Sequence, residues 1–315
     1  MARQQGITTQ FAGAWESAYG TAPASGYFEL PFIRHTLGAE HGLEEDDTIS
    51  GRRELAPEKG ATTAGGEVVV PLEAESIGFW LRALFREPTT TGTGPYTHVF
   101  EAGSADSLPS LSLEAWMSRV PYSDMTSGAM ADTLAVDLSP EGKLQATIGM
   151  IARSAVAGTT SNAGTPGVFG AFNRFPATSA ALKRNGAALT SKGESGVINV
   201  SNSLDALRGL DGTGLITDMA PGRSLVTGTV TLRFADQTML TQAIDHGAAT
   251  LETTFAAGGG EALTFLMHEV YLDRPKVPIE GPQGIQATFS YRAVRDMANG
   301  KQMTVTLVNN TASYA

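Results

Sequence analysis

Hydrophobic and polar residues alternate with period two along several short runs of this chain. In Gly228 to Phe234, Val230, Leu232 and Phe234 fall on one side and Thr229, Thr231 and Arg233 on the other. Val68, Val70 and Leu72 likewise oppose Glu67, Val69 and Glu73, and Ile285, Ala287, Phe289 and Tyr291 oppose Gln286, Thr288, Ser290 and Arg292. Such alternation predicts strands with one face on a core and the other on water or a partner. Only two segments show helical spacing. From Glu75 to Arg86, Ile77, Trp80, Leu81, Leu84 and Phe85 share a stripe, with Pro88 as a stop. From Asp236 to His246 the stripe is Met239, Leu240, Ala243 and Ile244, with Asp236 as the N-terminal cap and Gly247 at the left-handed C-terminal position.

These elements come twice in the same order. Pro57, a Gly-Gly, the run from Glu67 and a helix have counterparts in Pro221, Thr227-Gly228, the run from Thr229 and a second helix. Beyond the helices, 97–100 and 111–113 match 251–255 and 263–272. By the same order 133–138 matches 285–291, and 146–151 matches 303–308. The offsets are 162 for Gly66 to Gly228, 164 for Pro57 to Pro221 and 158 for Lys143 to Lys301. Near-constant offsets are the mark of a duplicated fold with drifting loop lengths. The expected class is therefore mainly β (α+β): two tandem β-sandwich or small-barrel domains, each with one covering helix. The domains are expected at 1–154 and 180–315. Between them, 155–179 reads as a linker, because no charge falls between Arg153 and Arg174 and 15 of the 19 residues from Ala155 to Asn173 are Gly, Ala, Ser, Thr, Asn or Pro. Asn185-Gly186 predicts a tight hairpin just after it.

Charge is divided unequally. Residues 1–157 hold 10 Lys+Arg against 20 Asp+Glu and residues 158–315 hold 12 against 12, so the whole net charge of −10 lies in the first half. That argues against capture of nucleic acid, which needs cations to replace counterions on phosphates. With no cysteine, disulfides, thiol catalysis and cysteine-ligated metals are excluded. Met1 to Gln5 lead into no apolar signal core, so retention in a cytoplasm is the expectation unless something larger carries the chain out. A long polar loop, 41–66, includes Glu44, Glu45, Asp46, Asp47, Arg52, Arg53, Glu58 and Lys59, and its counterpart in the second half is shorter and less charged. Long polar loops in compact domains are disordered or reach a partner.

Glu16-Ser17-Ala18-Tyr19-Gly20-Thr21, the extended polar loop, the Gly-X-Val strand and helix, Leu108-Pro109-Ser110-Leu111, and a terminal strand pair running from Ile279-Glu280-Gly281 to Val308-Asn309-Asn310 together resemble the tail tube (major tail) proteins of long, non-contractile-tailed, siphovirus-like bacteriophages. The resemblance covers roughly residues 15–310. It implies a structural virion subunit of stacked rings around a channel for DNA, with an inner barrel of sheets from adjacent subunits and a long loop reaching the next ring. A duplicated member is expected to form three-membered rings of sixfold appearance. Implied partners are other copies of the chain, the tape measure, terminator and tail-tip proteins, and DNA that passes without specific binding. Assembly would occur in the host cytoplasm. On that reading the outward-alternating Glu67, Asp132, Asp137, Thr229, Thr231, Arg233, Gln286, Thr288 and Ser290 are candidates for the channel wall, and Glu44, Glu45, Asp46, Asp47, Arg52, Arg53, Glu58 and Lys59 for the inter-ring contact. The alternative class is a virion-surface or host-adhesion module of two β-domains.

No catalytic, cofactor or metal constellation competes with this. His35 and His41 stand six apart, which suits neither one helical face nor a zinc pair. Glu44 to Asp47 lack the closing glutamate of a calcium loop, and the glycine runs at 212–214 and 258–260 lack the helix and lysine of a phosphate loop. Phe79, Trp80 and Trp116 suggest a stacking surface, but packing of the helix on its sheet is the expected role.

Overall fold

The computed structural model describes residues 3–48, 55–189, 191, 193–279 and 284–314. The fold is mainly β, with two α-helices and large antiparallel sheets. The first half contains β1 (Thr9–Trp15), β2 (Phe28–Glu29), β3 (Arg34–His35), β4 (Gly38–Glu44), β5 (Glu58–Pro71), α1 (Ile77–Phe85), β6 (Thr89–Thr91), β7 (Tyr96–Glu101), β8 (Leu111–Met117), β9 (Tyr122–Leu138), β10 (Gln145–Ala152) and β11 (Ser154–Gly158). The second contains β12 (Ala181–Arg184), β13 (Ala187–Ala188), β14 (Gly193–Ser201), β15 (Asp205–Arg208), β16 (Ile216–Ala220), β17 (Leu225–Arg233), α2 (Thr238–Ile244), β18 (Ala249–Ala256), β19 (Ala262–Leu272), β20 (Gln286–Val294) and β21 (Met303–Asn309).

One long strand in each half passes from an outer to an inner sheet. The first part of β9 pairs with β8 and β11, and its second part with β10. In the same way β19 pairs first with β18 and β21 and then with β20. Strands β10 and β20 pair in turn with β5 and β17. Even the irregularities recur, with a register shift between Leu111 and Leu113 and another between Ala249 and Leu251. These pairings correct the matching drawn from spacing. The counterpart of β9 is β19, that of β10 is β20, and that of β11 is β21. Among the described residues the hairpin of β6 and β7 has no counterpart in the second half, which moved the sequence match by one strand.

The core is continuous across the halves. Phe79 and Trp80 are fully buried and meet edge to face at 5.6 Å, so these aromatics are core; each stabilises by about 1.5–3 kcal/mol through burial. Helix α1 packs on β7 and β9, and α2 on β19. No Ser76 side-chain bond caps α1; instead the buried Glu73 carboxylate accepts the N–H of Glu75 at 2.9 Å and that of Ser76. Burial raises the Glu73 pKa above the ordinary carboxylate range. At α2 the N-cap is Gln237 rather than the expected Asp236, which stands one residue earlier and accepts the Thr238 N–H at 2.9 Å. Two further expectations for α2 fail. His246, with φ of 51°, takes the left-handed place assigned to Gly247, and Ile244 is exposed while Gln242 is buried in its stead. The Gln242 amide donates to the Val270 carbonyl at 3.2 Å and accepts from Arg184 at 2.6 Å, which satisfies it in the core.

Asn185 and Gly186 have φ of 49° and 75°, the turn that joins β12 to β13. The segment read as a linker is held along its length. Residues 154–158 are β11, and the buried Glu114 carboxylate accepts N–H bonds from Asn162 and Ala163 at 2.8 and 2.7 Å and the Ser161 hydroxyl at 2.8 Å. Farther along the same segment Phe175 is buried.

Candidate functional site

The inner sheets of the two halves are joined edge to edge within the chain. Six residue pairs, from Gly196↔Leu138 to Ser201↔Thr133, link β14 to the second part of β9. A continuous antiparallel sheet results, in the order β4, β5, β10, β9, β14, β17, β20. Directly paired residues share a face. The pairs Glu67↔Gly149, Gly149↔Thr133, Asp137↔Val197, Val197↔Thr229 and Thr229↔Ser290 therefore carry one face across both halves. Thr231↔Thr288 and Arg233↔Gln286 extend it.

Eight of the nine residues singled out for a channel wall lie on this face: Glu67, Asp137, Thr229, Thr231, Arg233, Gln286, Thr288 and Ser290. All are exposed or half-buried. Asp132 does something else. It sits at the register shift in β9, where its carboxylate accepts the Leu204 N–H at 2.9 Å and its carbonyl accepts the Asn202 N–H at 2.8 Å. Arg292, set on the same side as Ser290 by alternation, is on this face too, which also holds Arg34, Thr133, Thr147, Ser195, Asn199 and Thr227, residues that sequence reasoning did not gather. Alternation in Ser195 to Val200, with Ile198 and Val200 buried, was the signal for β14.

Hydroxyls and small residues dominate the chemistry of the face. Thr231 and Thr288 hydroxyls bond each other at 2.9 Å. Arg233 is held by Glu194 at 2.6 Å, and Gln286 donates to the same carboxylate. Among the described residues, charges of both signs are sparse on this face, and they form no long basic track.

The opposite face is closed by glycine where strands approach. A Cβ on Gly228 would lie 2.0 Å from the Val197 carbonyl oxygen and 2.4 Å from the Tyr291 hydroxyl. Tyr291 fills that space and donates to the same carbonyl at 3.2 Å. In the equivalent place, Gly66 has φ of 139°, and a Cβ there would lie 2.5 Å from the Thr36 carbonyl.

The motif Glu16 to Thr21 has a structural role at the passage of β9 between sheets. Gly128 turns the strand with φ of 63°, and the Glu16 carboxylate accepts its N–H at 2.7 Å, the Ser112 hydroxyl at 2.6 Å and the Gly20 N–H at 2.7 Å. In β19 the corresponding place is held by His268, whose Nε2 bonds the Thr304 hydroxyl at 2.8 Å.

The long polar segment is a β-hairpin arm. Glu44↔Glu58 and Leu43↔Lys59 pair across it, and residues 40–48 are exposed throughout. From Ala64 to Glu58 it advances about 20 Å at ordinary strand rise. Glu45, Asp46 and Asp47 lie at its exposed end, where the Asp46 carboxylate accepts the Thr48 N–H and its pKa is lowered by those bonds. Arg52 and Arg53 lie outside the described residues, as do Glu280 and Gly281. The second half has a shorter hairpin, β15–β16, whose Arg208 donates to the Thr62 carbonyl of the arm at 2.8 Å. Leu210 at its tip is fully exposed.

Among the described residues no group of three or more His, Asp or Glu side chains is placed to hold a metal. His35 stacks on Phe11 at 5.2 Å, and burial lowers its pKa, whereas His41 is exposed on the arm.

The model of the phage tail tube protein family matches residues 6–293, nearly the whole chain. The chain belongs to the phage tail tube protein family, and is a structural component of the bacteriophage virion. No curated protein matches it.

Proposed function

We propose that the chain is the repeating subunit of a tail tube, with three copies closing a ring and rings stacking around a channel through which DNA passes at ejection. Domains 1–154 and 180–315 occupy alternate positions in the ring, with 155–179 joining them. The observation that carries this reading is the single inner sheet shared by both halves, with one continuous face of hydroxyl and small side chains. A sheet that already runs through two equivalent units needs only repetition to close, and closure removes its exposed edges. A wall with few free cations lets DNA slide, because phosphate binding depends on Lys and Arg displacing counterions. At physiological salt the wall charges act over about 8 Å, so they make a non-stick lining.

The arm, with Glu44, Glu45, Asp46, Asp47, Glu58 and Lys59, contacts the next ring. Such a head-to-tail contact never closes, which yields a filament. Assembly takes place in the host cytoplasm and involves tape measure, terminator and tail-tip proteins. No catalysis and no cofactor enter this role. Electron microscopy of the purified chain, alone and with tail-tip initiators, tests it: stacked rings of constant bore are expected, and uniform monomers under both conditions would refute it.

A further inference from the structure

The seam between β9 and β14 is a template for a contact the single chain leaves open. Toward β5, the edge Arg34–Glu40 holds the place that Ser195–Ser201 holds toward β17. Arg34↔Val69, Gly38↔Gly65 and Ala39↔Ala64 correspond to Ser195↔Thr231, Asn199↔Thr227 and Val200↔Val226. The offset is constant, 161 along one strand and 162 along the other. Yet β14 is covered on its far side by β9, whereas no strand covers the far side of Arg34–Glu40 among the described residues.

The other half of the template is equally incomplete. Strand β9 runs on through Thr133–Leu138 to form the seam, but its counterpart β19 ends at Leu272. Asp273 to Ile279 follow, with Arg274, Lys276 and Ile279 exposed. Neither cation has a partner among the described residues, and the same holds for the carboxylates of Glu40 and Glu67 beside the open edge. Pro275 and Pro278 lack N–H groups, which keeps this segment from capturing strands at random in the free chain.

We infer that Arg274–Ile279 of one copy lies along the edge Arg34–Glu40 of a second copy, with Arg274 and Lys276 against Glu40 and Glu67. The inference rests on the ring reading and names its closing contact. It also gives the charge asymmetry a use, since the acidic half of one copy meets a basic segment from the neutral half of the next. Charge complementarity of this kind sets register and suppresses wrong pairings.

The cysteine-free chain permits a direct test. Gly38→Cys protein and Lys276→Cys protein, whose positions the template sets opposite each other as Asn199 is to Ala135, are mixed under assembling conditions and oxidised. A cross-linked dimer is expected from the mixture and not from either protein alone, and the double variant should give species ending at three chains. As an independent readout, Arg274→Glu should raise the concentration needed for assembly at least tenfold, and adding Glu40→Arg should reverse most of that rise. Stacked rings without a cross-link, or with no effect of Arg274→Glu, would overturn the inference and leave the ring reading standing. Absence of rings from the unaltered chain with and without initiators would overturn the ring reading, and the inference with it.

Discussion

The two halves carry the same strand pairings and differ in how each is locked and in what each sends outward. In the first half α1 is almost wholly buried, and the chain's own C-terminal segment lies against it. Tyr314 is buried, its hydroxyl donates to the Glu75 carbonyl at 2.6 Å, and its carbonyl accepts the Trp15 indole N–H at 2.7 Å and an Arg82 bond. In the second half α2 buries only Met239, Gln242 and Ala243. The first half extends a long charged arm; the second has in its place the compact β15–β16 hairpin. One half is thus the anchored, acidic, reaching unit and the other a neutral unit with a lighter cover. Pairing geometry is the shared requirement, because it sets the sheet. Covers and arms are free to diverge.

The largest expected effect breaks what the halves share. Gly66→Ala and Gly228→Ala each place a Cβ against a backbone carbonyl, and each should cost about 3 kcal/mol or more, read as the shift of the urea midpoint. Tolerance of one and not the other would show that the inner sheets are less equivalent than their pairings. Next comes the lock peculiar to the first half. A Cβ on Gly78 would meet the Tyr314 ring at 2.1 Å, so Gly78→Ala should expel the C-terminal segment at a cost of about 1–3 kcal/mol and speed proteolysis of residues 311–314.

An effect of similar size is expected at the seam between the halves. Asn202 is buried and donates to the Leu84 and Ala131 carbonyls, both at 3.0 Å. Asn202→Ala should cost about 1–3 kcal/mol by stranding those acceptors. Replacing 45–57 by the two-residue turn Asn-Gly between the paired Glu44 and Glu58 should leave monomer stability within about 0.5 kcal/mol, while abolishing stacking in electron micrographs. Shortening 209–215 should weaken stacking less.

The smallest effect is that of pH. Burial lowers the pKa of His35 in the first half and of His268 in the second. A folded histidine that resists protonation holds fewer protons than the unfolded one, so stability is full above about 6.5 and declines as pH falls below it. The decline in melting temperature on acidification should be reduced in His35→Gln and in His268→Gln, and a larger reduction for one would identify the more sensitive half.

Much of the fold was legible in the sequence because alternation such as Val230–Leu232–Phe234 directly reports a strand with one wet face. The same signal placed eight of the nine wall candidates on one face. Asp132 stands apart because it lies five residues from Asp137, so period-two alternation already sets the two on opposite faces, and at the register shift it binds Asn202 and Leu204 instead. Matching β10 to the last strand failed because the β6–β7 hairpin adds length to the first half alone, and spacing cannot distinguish an insertion from drift. The edge-to-edge seam was not legible at all. Which strands become neighbours depends on contacts far apart in sequence, and Ser195–Ser201 looks like any amphipathic strand. The arm was recognised by its charge and length, but its strand pairing was hidden among residues such as Glu58 to Thr63 with weak strand preference.

The central claim is that two unequal halves occupy equivalent ring positions. Cryo-electron microscopy of assembled tubes, reconstructed without imposed rotational symmetry, tests it most directly. The account expects three chains per ring, an inner wall repeating six times, and long and short hairpins alternating around the rim. Six chains per ring, or a wall formed by one half alone, would contradict it.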